Sequence, residues 1–142
     1  MAYLTLAELE NRIGRNALLD VADRDHSGDI DALVVERAIQ DASELIDSYL
    51  SKRYALPLAV VPAPLARIAC DLTVHYLAAE GTITDDKRRR HDDAIKYLSD
   101  IAAGRVDVIG AAGETVATSG AGSVEFESEA RLFNRRTMGQ LL

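Results

Sequence analysis

The sequence predicts a mainly α-helical protein, a bundle of the four-helix type with a short β-hairpin or an extended C-terminal arm. Three observations carry this. Apolar residues recur at three- and four-residue spacing in long stretches before Gly104. All three prolines, Pro57, Pro62 and Pro64, are confined to one segment, which leaves the chain on either side without its strongest helix breaker. Beyond Gly104 the periodicity stops in a stretch rich in Gly, Ala, Ser and Thr. With 142 residues there is room for about one ordinary domain. The expected division is a helical core over residues 1–104 and a Gly-rich hairpin or linker with a C-terminal docking arm over 105–142.

The first helix is announced by Thr5 and Glu8, the spacing of a capping box in which each side chain takes the other residue's backbone amide. Leu6, Leu9 and Ile13 then share a face, and Gly14 ends the pattern. Asn16 can cap a short second turn carrying Ala17, Leu18 and Val21. An acidic loop follows, from Asp23 to Asp31. From Ala32 the positions Val35, Ala38, Ile39, Ala42, Leu45, Ile46 and Tyr49 form one apolar face, with Asp31 or Asp29 as N-cap. At about 21 residues this helix would run roughly 30 Å.

The segment Tyr54 to Pro64 holds the prolines and cannot be a continuous helix, yet Leu56, Leu58, Val60 and Val61 make it apolar. A loop of that composition covers a core or meets another chain. Pro64 suits the first position of the next helix, whose stripe is Leu65, Ile68, Leu72, Tyr76 and Ala79 before a stop at Gly81. Thr84 caps the last helix and Gly104 stops it, with Ala94, Ile95, Leu98, Ile101 and Ala102 as its apolar stripe. In the C-terminal part, Val106, Val108 and Ile109 are expected to pair with residues 115–118 across a Gly113 turn. Val124, Phe126 and Ser128 alternate briefly, and Leu132 and Phe133 stand beside Arg131, Arg135 and Arg136. That cluster reads as a docking arm or as a strand folded back on the helices.

The charge of −7 argues against binding nucleic acid through phosphate neutralisation. Five Tyr, two Phe and no Trp leave little material for stacking on single strands. The one basic run, residues 87–91, stands among acids at i,i+4 spacing: Asp85 with Arg89, Asp86 with Arg90, Arg88 with Asp92, Arg89 with Asp93, and Asp92 with Lys96. It reads as a solvated, self-paired helix face. The single cysteine, Cys70, excludes an intramolecular disulfide and suits a reducing cytoplasm. No apolar run reaches a membrane span, and Glu8 comes too soon for a signal-peptide core, so a soluble protein starting at its own methionine is expected.

Catalytic constellations are poor. His26, His75 and His91 have no short metal-ligand spacing, no nucleophile elbow or phosphate loop is present, and Cys70 reads as a small buried residue. No enzyme is expected. The most specific local signal is the loop Asp23, Asp25, Ser27, Gly28, Asp29 and Asp31, which matches the start of an EF-hand loop. Val34 stands where the closing bidentate glutamate belongs. The loop is either a weak cation site, with calcium as the one cofactor, or an Asx-turn and N-cap loop whose acids hold backbone amides. A calcium-responsive helical binding module is therefore the alternative function.

Three runs taken in order are familiar: Ile46-Asp47-Ser48-Tyr49-Leu50 with Arg53-Tyr54-Ala55-Leu56-Pro57-Leu58, then Ile68-Ala69-Cys70-Asp71, then Arg131-Leu132-Phe133-Asn134-Arg135. With them the chain resembles the Mu-like phage and prophage family of small neck, or head-completion, proteins. The resemblance covers nearly the whole chain and is weakest over residues 110–125. It implies a bundle of the head-tail connector kind and a structural virion protein located at the neck, and in the bacterial host's cytoplasm before assembly. Its partners would be itself in a twelvefold ring, the portal protein and the tail or a tail-proximal neck protein. DNA would pass through the ring without specific binding, and no membrane is involved. Under this reading Tyr54, Leu56, Pro57, Leu58, Val60 and Val61 of the loop, with Arg131, Leu132, Phe133 and Arg135 of the arm, make contacts between subunits or with the portal.

Overall fold

In a computed structural model of the chain, residues 1–23, 26–78, 83–109 and 115–119 are described. They form five helices: α1 (Leu6–Ile13), α2 (Arg15–Ala22), α3 (Ala32–Leu50), α4 (Ala63–Leu77) and α5 (Asp85–Ala102). The three long helices pack on one another, while α1 lies against α3 and α2 against α4. The core follows the helical stripes: Leu9, Leu18, Val35, Ile46, Leu50, Leu65, Leu72, Leu98 and Ile101 are all fully enclosed.

Local chemistry explains most of the boundaries. Thr5 Oγ1 accepts the Glu8 amide at 3.2 Å and the Glu8 carboxylate accepts the Thr5 amide at 2.9 Å, completing the capping box. Asp31 caps α3 by accepting from the Leu33 and Val34 amides at 3.1 and 3.3 Å. Thr84 Oγ1 accepts the Lys87 amide at the start of α5. Inside the helices the two buried hydroxyls are satisfied one turn back, Ser43 by the Ile39 carbonyl and Thr73 by the Ala69 carbonyl.

Several expectations are corrected. Asn16 does not cap α2, which begins at Arg15 behind Gly14 and has no side-chain cap. Pro64 is the second residue of α4, not the first; either position wastes no hydrogen bond, because the first turn's amides have no intrahelical partner. Tyr76 leaves the α4 stripe and is exposed, because burial toward the C-terminus rotates onto Thr73 and Leu77. Of the five charge pairs expected along α5, Asp86 with Arg90, at 2.9 Å, is the one within ion-pair distance among the described residues. The remaining charges lie on the solvent side, where a lasting pair gains little over water. Ala79 and Gly81 lie outside the described residues.

The expected β-hairpin is also corrected: among the described residues there is no strand, only two isolated antiparallel bridges, Ile109 with Thr115 and Tyr54 with Thr118. The pairing begins as expected, the Val116 amide donating to the Val108 carbonyl at 2.9 Å. It does not continue among the described residues, and the Val106 carbonyl accepts from the Arg53 guanidinium at 3.3 Å. Thr118 turns to Tyr54 instead, and the Ser119 amide donates to the Arg53 carbonyl at 2.6 Å. Val108 is buried with the helical core and Val116 packs against it, so residues beyond Gly104 add to that core.

Candidate functional site

The acidic loop turns its carboxylates onto its own backbone. Asp23 accepts the Ser27 amide at 2.9 Å on one oxygen and the Gly28 amide at 2.8 Å on the other. These amides hold the Asp23 carboxyl below its usual range, Gly28 contributing most. Gly28 makes the turn at φ +83, a conformation that favours glycine. Asp31 is committed to the α3 cap, Ser27 Oγ lies 3.4 Å from the Asp29 amide, and the exposed Asp29 reaches toward Arg15 at 3.8 Å. Among the described residues no three acidic, His or Cys side chains converge as a metal site would require. Asp25 lies outside the described residues. The Asx-turn and N-cap geometry thus accounts for Asp23 and Asp31 without a cation.

The Pro-rich loop is built around two adjacent residues at the end of α3. The Tyr54 ring is enclosed in the core and its hydroxyl accepts the buried Val108 amide at 3.0 Å. The Arg53 guanidinium donates to the Ile101 and Val106 carbonyls and to Asp107 Oδ1, at 3.1, 3.3 and 3.0 Å, and so caps the C-terminus of α5. Leu58 is buried beside Tyr54, and its amide lies 3.1 Å from Met1 Sδ. Leu56 and Val61 are partly buried against the core. Of the six loop residues expected at an interface, then, Tyr54 and Leu58 are spent on this chain's own core, while Pro57 and Val60 face outward, Val60 at 59% exposure. Arg131, Leu132, Phe133 and Arg135 lie outside the described residues.

Two further features were missed by pattern reading. Asp47, which helical periodicity assigns to the polar face of α3, ties down the N-terminal segment: it accepts the Met1 amine at 2.6 Å and the Tyr3 hydroxyl at 2.5 Å. Burial, then Asp47, pushes the Tyr3 hydroxyl far above its ordinary pKa. The second is a groove of about 680 Å³ between α1, α4 and α5, with Ile68 and Ala94 at its base and Arg12, Arg67, Arg90 and Tyr97 around it. It adjoins a smaller hollow of about 330 Å³ that shares Asp71 and Arg90 with it. Burial raises the Asp71 carboxyl, against the pull of Arg90 and Arg67. Nothing local marks this groove, because its cations come from three helices.

The amino-acid sequence that builds this helical body matches known proteins. The profile of the family described as Bacteriophage Mu, Gp36 matches residues 3–126. The chain belongs to that family. Among its relatives, "Gene product J" of Escherichia phage Mu is 34% identical over 142 residues, 98% of this chain and 99% of that protein. "Mu-like prophage FluMu protein gp36" of Haemophilus influenzae is 34% identical over 106 residues, 75% of this chain and 74% of that protein. The Gp36 match contains α1 through α5, the acidic loop and the Pro-rich loop, and stops at Phe126. No described helix of this chain is long and apolar enough to cross a membrane.

Proposed function

We propose that this Mu Gp36-family protein is a structural subunit of the phage neck, one of twelve in a ring between portal and tail that completes the head and continues the DNA channel. The observation that carries the reading is the Pro-rich turn. Tyr54 and Leu58 anchor it in the core, while Pro57 and Val60 stay outside as apolar surface on a fixed support. A small rigid apolar knob of this kind suits a repeated subunit contact, where the same surface is used at every step of a ring. Family membership supports a phage particle as the setting. The charge of −7 suits a channel wall that DNA passes without being held.

The test is genetic and microscopic. A Mu-like phage whose copy of this gene is truncated after residue 123 should accumulate DNA-filled heads without tails, and the protein should be found at the neck of normal particles by labelled-antibody microscopy. Normally tailed particles from the truncated phage, or purified virions that lack the protein, would sink this reading.

A further inference from the structure

We propose that the groove between α1, α4 and α5 is the seat of the chain's own acidic segment, residues 124–130, which docks there in cis and so positions the Arg131–Phe133 cluster that follows it. Only the use of that cluster on a neighbouring subunit rests on the neck reading; the docking itself does not.

Charge and pattern point to this occupant. The groove carries three guanidiniums, from Arg12, Arg67 and Arg90, against two carboxylates, from Asp71 and Asp93, over an apolar base that includes Ile68 and Ala94. Among the described residues neither Arg12 nor Arg67 has a carboxylate within ion-pair distance, whereas Arg90 Nε is 2.9 Å from Asp86. Residues 124–130 read Val-Glu-Phe-Glu-Ser-Glu-Ala. In an extended backbone their side chains alternate, which puts Val124, Phe126 and Ser128 on one side and Glu125, Glu127 and Glu129 on the other. Two apolar groups can face the base while three carboxylates face the guanidiniums at the rim, where Arg suits bidentate pairing.

Chain length and position favour the chain's own segment over a free partner. The described chain ends at Ser119, bonded to the Arg53 carbonyl, and the Arg53 guanidinium sits on Ile101 at the end of α5. Tyr97, at the near end of the groove, lies one turn before Ile101, about 6 Å of helix rise. Residues 120–124 span up to about 17 Å when extended, and residues 124–130 cover roughly 20 Å more, enough to run along α5 from Tyr97 to Arg90. A tethered segment of this reach acts at a local concentration on the order of millimolar, which favours docking in cis over capture of a second copy in dilute solution.

The experiment uses the full chain with Cys70→Ala and a nitroxide on Asp93→Cys, reading amide signal loss by NMR while circular dichroism checks the helices. Residues 124–130 should lose more than half their intensity and residues 137–142 clearly less. A second label, on Lys87→Cys at the adjoining hollow, should single out the same segment. Arg12→Glu with Arg67→Glu should cut the effect several-fold, and Glu125→Arg with Glu127→Arg in that background should restore it. Absence of signal loss over 124–130 overturns the proposal. So does loss that appears only when spin-labelled, unlabelled-isotope protein is mixed with label-free ¹⁵N protein, which would assign the groove to a neighbouring copy. Since the measurement is made on the isolated chain, its failure leaves the neck reading standing, and tailed truncated phage would leave the docking standing.

Discussion

The Tyr54 hydroxyl decides how the chain leaves α5. It holds the Val108 amide at 3.0 Å inside the core, away from solvent. Tyr54→Phe should therefore lower stability by about 1–3 kcal/mol in urea unfolding, the cost of an unpaired buried donor; an unchanged midpoint would remove that role. His75 makes a pH prediction. Desolvation, and then the stacked His91 ring with centroids 4.0 Å apart, lowers its pKa below the usual histidine value, with Arg88 adding and Asp92 opposing. Its Nδ1 is buried with no hydrogen-bond partner among the described residues. The unfolded chain takes up this proton near pH 6.5 and the folded chain only at lower pH. Stability should accordingly fall as pH drops from about 6.5 through the lowered folded value. Between pH 7 and 5.5 the native chain should lose more stability than His75→Gln, read from their denaturation midpoints; equal losses would contradict it. At Asp23 the carboxylate serves amides, so Asp23→Ala should destabilise the protein equally with and without calcium, with no saturable calcium heat in either protein.

At the scale of elements, the end of α5 depends on one residue from α3. Arg53 reaches two carbonyls and a carboxylate at once, a task for a planar fork that the single ammonium of lysine cannot reproduce. Arg53→Lys should cost about 1–2 kcal/mol, and hydrogen exchange should speed up at residues 101–108 and at Ser119 before the rest of the chain. Uniform exchange across the helices would argue against a local cap. Gly104 supports the same junction: it sits at φ +78, and an added Cβ would meet the Arg53 guanidinium only at ordinary contact distance, 3.6 Å. Gly104→Ala should thus cost about 1–2 kcal/mol from backbone conformation alone. Helix content was legible in the sequence here, since stripes and the caps at Thr5, Asp31 and Thr84 are local signals. The hairpin was not, because Thr118 and Ser119 turn to Tyr54 and Arg53, more than fifty residues away in the chain.

For the molecule as a whole, the division of the Pro-rich loop matters most. Its apolar composition announced a loop that covers a core or meets another chain; Tyr54 and Leu58 lie inside the core, and Pro57 and Val60 are exposed. Val60→Asp should change the unfolding free energy by no more than about 0.5 kcal/mol, as surface changes usually do, yet reduce assembly of tailed particles at least tenfold. A stable variant that assembles normally would move the subunit contact elsewhere. Leu58→Ala should do the reverse, losing about 2–5 kcal/mol from the core.

By itself the sequence determined four of the five helices, with α2 legible only as a short turn, and membership of a Mu phage family, because periodicity, capping boxes and short motifs are written within a few residues. Tertiary structure alone decided the tie of Met1 and Tyr3 to Asp47, the Arg53 cap on α5, the inward turn of Tyr54 and Leu58, and the ring of Arg12, Arg67 and Arg90 around one groove. Each of these joins residues far apart in the chain, where charge or apolarity is visible but its partner is not. The partner exists only once α3, α4 and α5 have packed.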